Sequence, residues 1–348
     1  MTTDIRVPPG TAAPPGAGAA RRVYLLTVLA VTLAVLALAV FASVAFGSHP
    51  NSLTDVMDVL SGVADPNTTA VVESRYPRTA LGLLAGLCLA VAGTLLQGVT
   101  RNPLADPGLF GITGGAAAAI VTATAFLGAS GHSAAVWWAL PGALLAGLVV
   151  HVLGSAGSGG GLVRLVLAGA VVSAVLMAYV QAVTLSMPKV FDSYRYWVVG
   201  ALGGRDFDVL VSVLPPAVLG LLLAAALGSG LNTLALGDES ASALGANPAL
   251  TRSGGLLAAI LLSTAATAAV GPIAFVGLAV PHIVRALVGV DFRAQLAFSA
   301  LAGPALLLLA DVAGRLVLRP QELMVGVVTA FIGAPALLIA VRMMRGTV

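Results

Sequence analysis

Ten apolar runs follow one another along the chain, at approximately 23–46, 79–99, 109–128, 134–153, 163–186, 208–228, 253–270, 272–288, 295–316 and 323–342. A bilayer core ~30 Å thick needs about 20 such residues per helix. Charged residues make up 9% of the 348 residues and hydrophobic ones 59%, whereas a soluble domain carries ~25% charged residues. No soluble fold of this size hides that much apolar surface, so lipid is its solvent. The reading is an all-α polytopic membrane protein with about ten transmembrane helices. Its 41 glycines, set against 5% aromatics, imply helices that approach one another closely.

Residues 1–20, with PPG and APPGAGAA, read as a disordered tail. The remainder, 21–348, reads as a single transmembrane domain. Arg21 and Arg22 precede the first run like the head of a signal peptide. That run is long enough to span, however, and lacks a convincing cleavage site, so it is expected to be the first transmembrane helix. An even number of spans puts both termini on one side. With the termini inside, that side holds ten basic and five acidic residues, against seven and nine outside. The positive-inside rule therefore predicts cytoplasmic termini.

Three polar segments interrupt the pattern. Residues 47–78 form an outer loop with weak helical character, and 187–207 form a second, aromatic one. Residues 229–252 form the longest inner loop, where Asp238 can start a short helix and Gly245 can stop it. Such a segment either docks a soluble partner or is a solvated connector. The stretch QGVTRNPLADPG, 97–108, ends one span abruptly, and Asn102-Pro103 is a helix-stopping pair. GPIAFVGLAVPHIVR, 271–285, repeats the interruption. Both read either as ordinary turns or as breaks beside a transport pathway.

Several chemistries are unsupported. Sixteen of the 17 basic residues are Arg, and the single Lys189 belongs to no phosphate-binding loop. The glycine run GSAGSGGG, 154–161, lacks a lysine and reads as a loop. Lone Cys88 excludes an intrachain disulfide. The four histidines, at 49, 132, 151 and 282, show no metal-ligand spacing. His282 reads as a packing or loop-bonding residue. Ser173, Ser263, Thr264 and Thr267 are candidates for a weakly binding pathway wall.

RYPRTALGLLAGLCLAVAGTLLQGVTRNPLADPGLFGITGG, 75–115, resembles the signature of FecCD-type permeases of type II ABC importers for iron-siderophore complexes, haem and vitamin B12. YWVVGALGGRDF, LALGDESASALGAN, GPIAFVGLAVPHIVR and DVAGRLVLRPQELMVGVVTAFIGAPALLIAVRM continue the resemblance, which covers roughly 23–345. Tyr76 departs from it, standing where the family usually has Leu. The glycine run at 157–161 departs too, where some relatives carry Ser or Thr at a cytoplasmic constriction.

The resemblance implies a permease in the bacterial inner membrane, paired with a second copy or a sister permease. Two cytoplasmic ATPases and an extracytoplasmic binding protein complete the assembly, which has no nucleic-acid partner. The chain needs no cofactor, because ATP and Mg sit on the ATPase subunits, and it is not itself an enzyme. A cytoplasmic gate is expected at Asn102, Pro103 and Leu104. ATPase coupling is expected at Leu236, Gly237, Asp238, Glu239, Ala241, Leu244 and Gly245. Arg75 and Arg315 map onto positions that grip acidic residues of the binding protein. Arg315 also lies four residues after Asp311 on one helix face, so an internal ion pair is the competing role. An iron(III)-siderophore complex is the expected cargo, with haem or B12 as alternatives. An ion-coupled carrier needs acidic residues within its spans, and Asp311 alone qualifies.

Overall fold

The computed structural model describes residues 17–48, 52–129, 131–155 and 161–345, and every regular element among them is helical. In chain order these are α1 (Ala17–Ala45), α2 (Leu53–Ser61), α3 (Pro66–Glu73), α4 (Arg75–Thr100), α5 (Ile112–Phe126), α6 (His132–Ser155) and α7 (Gly161–Ser186). Then come α8 (Pro188–Val198), α9 (Phe207–Leu234), α10 (Asp238–Ala243), α11 (Pro248–Val270), α12 (Val276–Val288), α13 (Phe292–Val317) and α14 (Val325–Arg345). A 3-10 turn, Pro107–Phe110, precedes α5.

Seven helices are long and apolar enough to cross a membrane, and three shorter apolar ones accompany them: Ile112–Phe126, Val276–Val288 and Val325–Pro335. Together they account for the ten expected runs. The 15 residues of α5 span only about 22 Å at 1.5 Å per residue. Short spans flanked by irregular backbone are tolerated where protein covers them. The break between α11 and α12 is covered in this way. Ala201 N–H donates to Val270 O at 2.9 Å, and Gly326 N–H to Gly200 O at 3.2 Å.

Two expectations need correction. First, α1 begins at Ala17, so residues 17–20 of the expected tail are helical; the rest of that tail lies outside the described residues. Ala residues on either side of Gly18 favour the extra turn. Second, the inner loop is shorter than 229–252, because α9 continues to Leu234 and α11 starts at Pro248. Asn247 caps α11 by accepting from Leu250 N–H at 3.0 Å, with Pro248 preset for the first turn. The helical character expected in the outer loop 47–78 takes the form of α2 and α3. Ser52 and Asp55 form a capping box on α2, and Asp65 caps α3 through Asn67 and Thr68 N–H. Most of the glycine run 157–161 lies outside the described residues, and its last member, Gly161, opens α7.

The core sits around α4 and α11, whose most apolar windows are 78% and 83% buried, whereas those of α1 and α7 are 11% and 17% buried. Glycine sets the spacing in that core. A Cβ on Gly93 of α4 would overlap the Gly277 carbonyl of α12, and one on Gly86 would stand 2.6 Å from Pro304 Cα of α13. Backbones therefore touch where bulkier residues would hold them apart.

Candidate functional site

Helix α4 joins two polar clusters, one at each end. At its N-terminal end stand Arg75 and Arg78, three residues apart and so on one helix face. Arg78 Nη2 lies 2.7 Å from Asp311 Oδ1, and its Nη1 lies 2.8 Å from Glu322 Oε2. Arg315 Nη2 lies 2.9 Å from Asp311 Oδ2, so the expected pair on α13 forms. Ser48 Oγ donates to Glu322 Oε1 at 2.7 Å. Burial pushes the Glu322 carboxyl up, but the Arg78 guanidinium and the Ser48 hydroxyl outweigh it and hold it below the usual range.

The two expected docking arginines are not displayed on the surface, since Arg75 is 5% and Arg315 1% exposed. Arg75 Nη1 donates to Val44 O and Ala45 O, both at 2.9 Å. Arg315 Nη1 donates to Ser43 O at 2.9 Å and Phe46 O at 2.8 Å. A helix C-terminus leaves its last carbonyls without intrahelical donors and is partially negative. These two guanidiniums therefore close the end of α1. Both still line a polar depression of about 190 Å3, together with Ser48, Arg78 and Glu322. Arg78 and Glu322 were missed as site residues. The signal was the second arginine of the RYPR segment and the lone acid of the 318–324 turn.

At the other end of α4, Arg101 takes a left-handed conformation (φ 51°) and ends the helix. Asn102 Oδ1 then accepts from Leu104 N–H at 3.0 Å, an Asx turn that reverses the chain. Asn102 and Pro103 are half-buried, and Leu104 is exposed. Asp106 Oδ1 accepts from Gly108 N–H at 2.7 Å to start the 3-10 turn. Asp106, Ser263 and Thr267 line a cavity of about 90 Å3. Thr264 is buried elsewhere on α11, so it forms no part of that wall. His282 Nδ1 lies 2.9 Å from Leu278 O, in keeping with a packing role.

Arg101 reaches across to the inner connector. Its Nη2 lies 2.6 Å from Asp238 Oδ1 and also donates to Leu234 O. Arg252 grips the same carboxylate from α11 with two bonds of 2.8 Å. The Arg252 guanidinium, the stronger influence, and Arg101 hold the Asp238 carboxyl below the usual range. Asp238 thus fastens α10 to the ends of α4 and α11. Glu239 is exposed. Ala241 is fully buried under α10, and its N–H donates to Gly237 O at 2.9 Å. Gly237 (φ 109°) and Gly245 (φ 79°) bracket the helix in conformations that favour glycine. Leu236 and Leu244 project, each 64% exposed. Arg101 and Arg252 lie outside the residues the sequence singled out, because their pairing with Asp238 spans up to 137 residues of chain.

No group of three or more His, Cys, Asp or Glu residues suited to a metal ion occurs among the described residues. A polytopic bundle with broken spans and a short helix displayed between α9 and α11 defines a membrane transport permease. The chain belongs to the FecCD transport family, whose model matches residues 35–343. It is 45% identical over 313 residues to the ferric enterobactin transport system permease protein FepD of Escherichia coli K12, covering 89% of this chain and 93% of that one. It is 35% identical to the probable siderophore transport system permease protein YfiZ of Bacillus subtilis 168, covering 90% and 95%. Among solved structures it is similar to one described as an inward-facing metal-chelate type ABC transporter. That match has a TM-score of 0.77 and 27% identity, and covers 92% of this chain and 99% of that one.

Proposed function

We propose that this chain forms the translocation pathway of a bacterial inner-membrane ABC importer for an iron(III)-siderophore complex. The observation that carries the cargo is its 45% identity, over nearly the full length of both chains, to a ferric enterobactin permease. The positive-inside bias supports cytoplasmic termini. The Arg101 end of α4 is then cytoplasmic, and the Arg75 end faces outward.

The geometry fits a division of labour. α10 with its flanking residues presents Leu236, Leu244 and Glu239 to the cytoplasm, where an ATPase that holds ATP and Mg can receive them. The Asp238 junction joins α10 to Arg101, the residue immediately before Asn102, Pro103 and Leu104. Movement of α10 by a closing ATPase dimer is thereby passed to the gate. In the Asx turn the Asn102 carbonyl is occupied by Leu104 N–H. The amide NH2 is the group this turn does not use, and it can meet the same group of a paired permease. On the outer face, the depression lined by Arg75, Arg78 and Arg315 receives an acidic side chain of the binding protein.

An ion-coupled carrier is disfavoured because Asp311 is already neutralised by Arg78 and Arg315. The test is uptake into proteoliposomes that contain the permease with its ATPase, charged with binding protein and radio-iron siderophore. ATP-dependent accumulation that haem and B12 do not displace is the expected result. Displacement by either assigns that cargo instead. Uptake driven by an ion gradient without ATPase overturns the reading.

A further inference from the structure

A cavity of about 150 Å3 opens at the outward end of α5, between that helix, the start of α6 and α8. Ile120, Thr124, Trp138 and Tyr196 supply much of its wall, and Trp197 and Arg205 also line it. Trp197 is 4% exposed, and its indole N–H is buried without a hydrogen-bond partner. Arg205 is 6% exposed. Its Nε donates to Ala201 O at 3.1 Å, and no carboxylate pairs with it among the described residues.

This arrangement contrasts with Arg315, equally deep, which has Asp311 at 2.9 Å. A buried charge without a counter-ion is disfavoured, and a buried N–H without an acceptor adds to that. Burial pushes Arg205 down to about 10, so it stays protonated at neutral pH. A cation and an unused donor thus border an aromatic, apolar space that supplies no acceptor charge. The complement is an anionic oxygen group joined to an apolar body. The setting agrees, for Trp138 and Tyr196, which line the cavity, are 40% and 55% exposed. Aromatic rings at that level mark the membrane–water interface, where amphiphiles place their charged groups.

We propose that this cavity binds the anionic oxygen group of an amphiphile, with Arg205 and the Trp197 N–H as donors and Trp138 and Tyr196 as its apolar wall. The group comes from an anionic phospholipid of the surrounding leaflet or from a soluble aryl carboxylate. Both present the same chemistry to the two donors. Arg205 also lines the outer depression beside Arg75, so the ligand's charge is felt there.

The full chain, reconstituted in phosphatidylcholine nanodiscs, allows the test. One arm raises the fraction of dioleoylphosphatidylglycerol, and the other adds benzoate. Thermal unfolding and tryptophan emission are read in both, since two of the chain's three tryptophans line the cavity. A saturable rise in unfolding temperature with at least one probe is expected. Arg205→Gln should raise the half-saturating concentration about tenfold, the loss of one charge-assisted contact, and Arg205→Lys should raise it less. Trp197→Phe keeps a ring, removes the N–H and should weaken binding by a smaller factor, read by unfolding alone. A response to the lipid identifies the leaflet as the source, and a response to benzoate alone identifies a soluble acid. No saturable response in the wild type overturns the proposal. So does an unchanged half-saturation in Trp197→Phe together with Arg205→Gln. If Arg205→Gln does not fold, Trp197→Phe and Arg205→Lys decide.

Discussion

Arg78 and Asp311, 233 residues apart in the chain, meet in a two-pronged ion pair, with Nη2–Oδ1 at 2.7 Å and Nε–Oδ2 at 3.0 Å. Their side chains are 13% and 1% exposed. The pair ties the start of α4 to α13, and through Arg315 the same carboxylate reaches the end of α1. Asp311→Asn leaves the buried Arg315 without its carboxylate partner and Arg78 with Glu322 alone. A loss of about 3–5 kcal/mol is expected, as for a broken buried pair. Thermal unfolding of the purified chain measures it. Replacing Arg78 by Met in the same chain should recover part of the loss, and a double-mutant cycle gives the coupling.

Asp238→Asn should separate coupling from folding. The carboxylate is partly exposed and held by two arginines, so stability should change by no more than about 1 kcal/mol. Transport and stimulated ATPase activity should fall several-fold in the assembled complex. The Asp238 carboxyl is held below its usual range, so its ion pairs persist at neutral pH and are lost only as pH falls through that depressed value. Coupling efficiency should therefore be flat between about pH 6 and 8. A titration of coupling within that window would rule out Asp238 as the junction.

Cysteine at Asn102 should crosslink to its mate in a paired permease when the cytoplasmic end is closed, and not when nucleotide opens it. Asn102 opens the turn whose tip is Pro103 and Leu104, accepting from Leu104 N–H and Ala105 N–H. Equal crosslinking in every nucleotide state removes the gate from this position.

Arg75→Glu should weaken capture of the binding protein in the low-salt regime, and high salt should shrink the difference. The residue lines the outward depression but also closes the end of α1. The variant must therefore be shown to unfold at a temperature near that of the wild type. An affinity and salt dependence matching the wild type in a folded variant would show that Arg75 serves α1 alone.

Gly93→Ala tests the contact of α4 with α12. The added Cβ would meet the Gly277 carbonyl, which is backbone and cannot rotate away. Overpacking of this kind costs about 1–3 kcal/mol, readable as a lower unfolding temperature. Gly62→Ala, at an exposed cap with open space around it, should cost less, through its φ of 75° alone.

Much of the architecture was legible in the sequence because its signals are local. A run of apolar residues declares a span by its length. Asp238 and Gly245 declare the limits of α10. The Arg315–Asp311 pair was visible as well, since a spacing of four residues places both on one face of any helix. The loop 229–252 was overestimated because residues 229–234 and 248–252 are mostly polar or small, and composition does not distinguish the last or first turn of a helix from a connector.

The sequence by itself determined a ten-run polytopic bundle, the places where its spans break and the helix that stands between α9 and α11. Each of these follows from neighbours within a few positions, where backbone geometry and lipid solvation act. Tertiary structure alone decided what the charges do. Arg75 and Arg315 turned inward because the last carbonyls of α1, some 30 and 270 residues away, needed donors inside the protein. Asp238 was taken up by Arg101 and Arg252 from two different helices, and Arg205 was left beside an aromatic cavity with no carboxylate to meet. In a low-dielectric interior a charge is defined by whichever group packs against it, and that neighbour is chosen by helix packing rather than by position along the chain.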